Sequence, residues 1–204
     1  METHTGFDGM RWLNEPPGWA IEAGRLTVTT GPETDFWRET FYGFVRDDGH
    51  FRYREVRGDF TAQVTLSGDF ATLYDQCGLM VRGDSRTWLK TGVEFTDGLP
   101  HPSAVLTREH SDWSVIPLPR LPGPEQTLTL RVTRLGAALL VQYLRPDTGW
   151  QLLRLGHLPL GETGQVGVMC CSPQRGGFTA RFTDFLVSEP VERRLHAEAT
   201  AEAT

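Results

Sequence analysis

An alternation of apolar and polar residues, with a period of two, runs through nearly all of this chain and constrains its fold more than any other feature. "RLTVTT" (25–30) alternates, and in "DFTAQVTLSG" (59–68) Phe60, Ala62, Val64 and Leu66 share one face. Period two belongs to a strand with one buried face, because successive Cβ atoms point to opposite sides. "CGLMVRG" (77–83), "LKTGVEF" (89–95), "SAVLTRE" (103–109) and "WSVIPL" (113–118) continue it. A proline-rich connection, "PLPRLPGPEQ" (117–126), suits extended surface structure and not helix. Five further segments follow: "TLTLRVTR" (127–134), "AALLVQYL" (137–144), "WQLLRLGHL" (150–158), "QVGVMCCS" (165–172) and "FTARFTDFLVS" (178–188). LG and PDTG read as the hairpin turns among the first three.

No window of about 11–18 residues before position 189 carries a 3.6-residue period. Short strands at intervals of roughly 8–14 residues predict an all-β sandwich of two antiparallel sheets, one domain over 7–188. Its expected core includes Val64, Leu79, Val81, Val93, Phe95, Leu130, Val132, Val168 and Phe182. The end of the chain, 189–204, turns to repeated Ala-Glu-Ala-Thr without aromatics and reads as a disordered or frayed tail.

A net charge of -6 argues against nucleic acid or an anionic membrane as partner. Arg52, Arg54 and Arg57 read as a solvated strand face. No signal-peptide pattern opens the chain and no run of about 18 apolar residues occurs, so neither export nor membrane spanning is expected. Cys77, Cys170 and Cys171 are odd in number, with two adjacent, so they form no disulfide framework. Small buried thiols in a reducing cytoplasm are the expectation. No GxSxG elbow, P-loop, HExxH or CxxC is present, and the six histidines lack ligand spacing. No metal and no cofactor are expected.

Parity singles out a polar face. In 89–95, Leu89, Thr91, Val93 and Phe95 form the core side, leaving Lys90, Gly92 and Glu94 opposite. Along one strand Lys90 and Glu94 stand about 13 Å apart. In 75–82 the corresponding set is Gln76, Gly78, Met80 and Arg82. If "GDSRT" (83–87) joins these strands as a hairpin, Gln76, Met80, Lys90 and Glu94 surround two glycines. A strand-interior glycine weakens a strand, and close approach of a ligand or of another backbone is one reason to keep it. Lys90 is the only lysine beside 19 arginines, and an indifferent surface position would be expected to hold arginine. Lysine differs in its compact ammonium. Asn14, the only asparagine, stands out by the same test. Among six tryptophans, Trp37 in "TDFWRETFYGF" and Trp113 in "SDWS" are the best stacking candidates, while Trp150 after a turn reads as structural. His50 in "DDGHFRY" is the most suggestive histidine, although it reads as a turn histidine bonded to backbone before it reads as a general base.

The stretches "WLNEPPGW", "TDFWRETFYGF", "GHF", "DQCGLMVR", "WLKTGVEF" and "SDWS" occur in this order. Together they resemble the domain-of-unknown-function family related to the yeast regulation of enolase protein, over roughly residues 10–188. The resemblance implies a concanavalin A-like jelly-roll fold. It carries no established activity, and Asp75, Gln76, Lys90, Glu94, Asp112 and Trp113 all fall in its motifs. Sandwiches of this type often bind or cleave carbohydrate on the concave sheet, which is an analogy of fold. Three readings follow. The first is a carbohydrate or sugar-derived ligand held by Lys90, Glu94 and Gln76 and stacked on Trp37 or Trp113, with Asp75 and Asp112 orienting donors or loops and His50 counted in the ligand set. The second is a glycoside hydrolase or lyase using Glu94 with an aspartate. The third is a regulator that docks on a metabolic enzyme, a protein partner that aromatic and arginine-rich surfaces suit.

Overall fold

The structure is a computed structural model that describes residues 3–118, 120–121, 123 and 126–191. The expected tail beyond Val191 lies outside the described residues, as do Pro119, Pro122, Pro124 and Glu125 of the proline-rich connection. The strands run in chain order β1 (His4–Thr5), β2 (Arg11–Leu13), β3 (Gly18–Glu22), β4 (Arg25–Thr29), β5 (Phe36–Arg38), β6 (Val45–Asp47) and β7 (His50–Arg57). Then come β8 (Phe60–Gly68), β9 (Gln76–Arg82), β10 (Thr87–Thr96), β11 (Leu99–Arg108) and β12 (His110–Val115). The last are β13 (Leu128–Leu135), β14 (Ala138–Arg145), β15 (Gly149–His157), β16 (Thr163–Cys171) and β17 (Thr179–Ser188).

One sheet has the order β15-β14-β13-β8-β17-β4-β3, with β1 added on β17. The other has the order β12-β11-β10-β9-β16-β7-β2, and β5 and β6 form a separate hairpin. Every pairing is antiparallel, and the predicted LG and PDTG turns close β13–β14 and β14–β15, with Gly136 and Gly149 at positive φ. The result is a concanavalin A-like jelly-roll sandwich of two antiparallel sheets.

The inner faces bury one continuous apolar cluster that includes Val64, Leu79, Val81, Val93, Leu130, Val132, Val168 and Phe182. Phe95 departs from expectation. It is only half-buried, because β10 ends at Thr96 and turns into β11, carrying that position past the interior. Cys77 and Cys170 join this cluster, and all three thiols are free and buried.

The arginines of β7 also depart from expectation. Arg52 and Arg54 stand opposite Val168 and Val166, on the inner side of the sheet. Arg52 is buried beneath Trp12 and Trp19, its guanidinium 5.3 and 4.4 Å from their rings, and it donates to Phe7 O at 3.3 Å. Aromatic faces and a backbone carbonyl replace the water that a solvated arginine would keep. Arg57, of the other parity, meets Glu162 at 2.9 Å on the surface.

Candidate functional site

The β9–β10 hairpin sets Glu94 opposite Gln76, Gly92 opposite Gly78 and Lys90 opposite Met80. The polar face read by parity is therefore real, but it is not solvated. The β5–β6 hairpin covers it and creates a second apolar cluster of Phe36, Trp37, Phe51, Met80, Trp88, Val105, Met169 and Cys171. The two glycines answer to a neighbouring backbone. A Cβ on Gly78 would stand 1.9 Å from Thr91 O, and one on Gly92 2.0 Å from Cys77 O.

Two buried cations pin the covering hairpin. Arg82 grips Asp47 of β6 with two bonds of 2.7 Å. Lys90 donates to Asp35 Oδ1 at 3.1 Å and to Phe36 O at 2.7 Å. Burial pulls the pKa of the ammonium down, but Asp35 and Glu94 outweigh it, so Lys90 is raised and stays charged. Two of its three hydrogens are engaged, and one is left for the cavity.

That cavity, of about 290 Å³, has Lys90, Asp35, Glu94 and Gln76 as its polar floor. Its walls are Trp37, Tyr42, Phe44, Tyr74 and Trp113, with Pro173 and Gln174 at one side. Glu94 accepts from Trp113 Nε1 at 2.8 Å, and burial, only partly offset by Lys90, pushes its pKa up to about 6. Gln76 donates once, to Tyr74 O at 3.1 Å. The Tyr74 and Tyr42 hydroxyls meet at 2.7 Å, and that bond, helped by burial, pushes the Tyr74 pKa up to about 12. Tyr74 is therefore neutral, and one of the two hydroxyl hydrogens is spent on the other phenol. The rings form a chain of edge contacts, Trp37–Tyr42 at 5.6 Å, Tyr42–Tyr74 at 6.5 Å and Tyr74–Trp113 at 6.4 Å. Tyr74 holds a left-handed backbone, φ 68, which is uncommon for a bulky residue and typical of positions kept for a site.

A second cavity, of about 530 Å³, shares Trp37, Tyr42 and Trp113 with the first and adds Thr40, Phe41, Ser111 and Asp112. Asp112 pairs with the core residue Leu106, so its carboxylate turns to the inner side of the sheet, away from Trp113 and Ser111, and meets Arg154 of β15 at 2.9 Å.

Of the residues singled out from sequence, Gln76, Lys90, Glu94, Trp37 and Trp113 line the first cavity, and Asp112 lines the second. Asp75 and His50 line neither, a correction to their place in the ligand set. The Asp75 carboxylate is fully buried among Arg175, Ser172 Oγ and the amides of Ala71 and Thr72, and so builds the loop that presents Tyr74. His50 accepts from Gly31 N at 2.9 Å and donates through Nδ1 to Asn14 O at 2.6 Å. Burial lowers its pKa, and it serves as a neutral loop clamp. Asn14, at φ 56, donates to Asp47 O and Gly49 O and fixes the same corner. Trp150 stacks on Arg131 at 4.1 Å, on the other sheet. Parity did not reach Asp35, Tyr42, Phe44 or Tyr74, because they enter from a separate hairpin and a loop; the density of polar and aromatic residues in "TDFWRETFYGF" was the available signal. Among the described residues no cluster of His, Cys, Asp or Glu suits a metal ion, and no helix is long and apolar enough to cross a membrane.

Comparison with known proteins places this geometry. The family described as "Protein of unknown function (DUF1349)" matches residues 12–190. Regulation of enolase protein 1 of Saccharomyces cerevisiae is 43% identical over 185 residues, spanning 91% of this chain and 92% of that protein. The crystal structure of a functionally unknown protein from Saccharomyces cerevisiae superimposes with a TM-score of 0.85 at 42% identity, covering 92% of this chain and all of the other (100%). A lectin from Bauhinia forficata, solved in complex with GalNAc, shares the fold with a TM-score of 0.57 at 11% identity, covering 92% of this chain and 97% of the lectin. The chain thus belongs to the DUF1349 family, whose function is unknown, alongside the yeast regulation of enolase protein.

Proposed function

We propose that this protein binds a carbohydrate or sugar-derived small molecule in the cavity under the β5–β6 hairpin. The observation that carries this reading is a charged, hydrogen-bonding floor of Lys90, Glu94 and Gln76 inside a ring of Trp37, Tyr42, Tyr74 and Trp113. A sugar offers hydroxyls at its edge and C–H faces above and below, so it meets such a floor and such walls together. The remaining Lys90 hydrogen and the Gln76 amide donate, and the Glu94 carboxylate accepts. The sandwich shared with a lectin supports this at the level of fold alone. Three unpaired, buried thiols support a cytoplasmic setting.

A thermal-shift screen of mono- and oligosaccharides and sugar acids tests the reading, since a ligand at about 100 times its Kd stabilises the native state by about 2.7 kcal/mol. Lys90→Arg is expected to abolish the shift, because a planar fork does not fit where an ammonium sits. Gln76→Ala, which removes a single internal hydrogen bond, is expected to weaken it. A full, unchanged response in both variants would sink the assignment.

One observation favours a glycosidase as the second reading. Glu94, with its pKa near 6, shares the cavity with a second carboxylate, Asp35. A carboxylic acid with a raised pKa, paired with a second carboxylate, is the kind of set that glycoside hydrolysis uses. Release of nitrophenol from aryl glycosides that is lost in Glu94→Gln would support it, and binding without turnover would remove it. Docking on a metabolic enzyme draws support from the yeast relative's name alone.

A further inference from the structure

We infer that the site holds the end of a glycan chain, with the terminal unit in the first cavity and the next unit in the second. This rests on the sugar-binding reading above. The first cavity is blind, because its floor residues Lys90 and Glu94 are nearly fully buried and bonded to Asp35, Phe36 and Trp113. A chain can enter it but cannot run through. The second cavity adjoins it across the shared wall of Trp37, Tyr42 and Trp113 and offers the next unit a place.

The second cavity has the parts that a further sugar needs. Phe41 is 93% exposed, an unusual state for an apolar ring, and it stands edge-on to Tyr42 at 5.1 Å. Its exposure is built in by the turn. Glu39 N bonds Phe44 O and Gly43 N bonds Glu39 O, each at 2.7 Å, and Glu39, Phe41 and Gly43 sit at φ 59, 65 and 70. Two of these three are non-glycine residues in the left-handed region, a conformation that persists only where the surroundings enforce it. The ring is thereby presented as a platform on which a sugar face can lie. Thr40 and Ser111 line the same cavity with hydroxyl-bearing side chains. Trp37 and Trp113 wall both cavities, so each would contact both units.

Calorimetric titration with matched probes tests the inference: xylose and xylobiose, galactose and lactose, N-acetylglucosamine and chitobiose, glucose and maltose. At least one disaccharide is expected to bind the wild type about tenfold tighter than its own monosaccharide, or better. Phe41→Ala is expected to remove most of that advantage. Phe41 touches solvent almost everywhere, so an unchanged melting temperature will show that this variant is folded. Equal affinity for both members of every pair would overturn the inference while leaving the single-sugar site standing. A disaccharide advantage that survives Phe41→Ala would also overturn it, and would release the aromatic tip for contact with a protein. If no sugar binds at all, the inference and the reading beneath it fall together.

Discussion

The two faces of the β9–β10 hairpin are equally buried and chemically opposite. On the inner side Cys77, Leu79, Val81, Leu89 and Val93 join the apolar core between the sheets. On the outer side Gln76, Arg82, Lys90 and Glu94 are also withdrawn from water, beside Met80 and Trp88. The inner face is stabilised by removal of apolar area, at about 25 cal/mol per Å², and needs only a good fit. The outer face must find a partner for every charge, because an unpaired buried ion costs several kcal/mol. It finds most of them on one small hairpin, and the charges left incompletely satisfied face a cavity. The comparison teaches that burial alone does not separate core from site. Unequal partnering does.

The glycines offer the hardest way to break this arrangement. Gly92→Ala brings a methyl to 2.0 Å from the carbonyl of Cys77, so β9 and β10 must part at the point where both faces depend on their pairing. Loss of more than about 4 kcal/mol, or failure to fold, is expected. Gly83→Ala, whose nearest contact would be 3.5 Å away, is expected to change little. Soluble yield and urea unfolding of the two variants will decide. A folded, stable Gly92→Ala protein would show that the strand register is looser than described.

A second test sets the faces against each other. Lys90→Met leaves Asp35 buried beside a thioether, and about 3–5 kcal/mol should be lost. Leu79→Ala, on the inner face, is expected to lose a comparable ~2–5 kcal/mol through the cavity it opens. The two differ in how they are rescued. Asp35→Asn added to Lys90→Met removes the orphan charge while keeping the acceptor for Phe36 N, and should restore most of the stability. No neutralising partner can restore Leu79→Ala. Double-mutant cycles from urea unfolding measure both.

Legibility in the sequence follows the same division. The inner face was readable almost residue by residue, because alternation is a local property of a strand and the hairpin turns fix the register. Val64, Leu79, Val81 and Val93 stand where parity puts them. Parity also assembled Gln76, Lys90 and Glu94 on one face, and the rarity of lysine pointed to a position with a particular need. It did not show that the need is shared between the cavity and Asp35, 55 residues away. The strands of the covering hairpin are three residues each, too short for a period to be read. Asn14 shows the limit of rarity as a signal. It is as singular as Lys90, yet its positive φ and two backbone bonds assign it to a turn. Arg52 misled for a different reason: a guanidinium beneath Trp12 and Trp19 can occupy an inner position that the polar pattern assigns to solvent.

The smallest expected effect is also the one that most sharpens the comparison, because it concerns a carboxylate whose burial is not matched by its partners. Glu94 has its pKa pushed up to about 6 from an ordinary 4.5. Between these values the native state binds more protons than the unfolded chain, so stability falls as pH rises through this window and is flat outside it. The full change is about 2 kcal/mol. Asp75 and Asp69 are shifted the other way by their arginine bonds and give the opposite slope, so total stability against pH will not isolate Glu94. The difference between wild type and Glu94→Gln will. Relative to wild type, the glutamine variant should gain about 2 kcal/mol between pH 4.5 and pH 6.5. Trp113→Phe, which keeps a ring but removes the indole donor to the carboxylate, should shift that window to higher pH. Urea unfolding across the range is sufficient. A wild-type minus Glu94→Gln difference that stays level would mean that the floor of the cavity already satisfies this carboxylate, and that Glu94 belongs with the partnered charges.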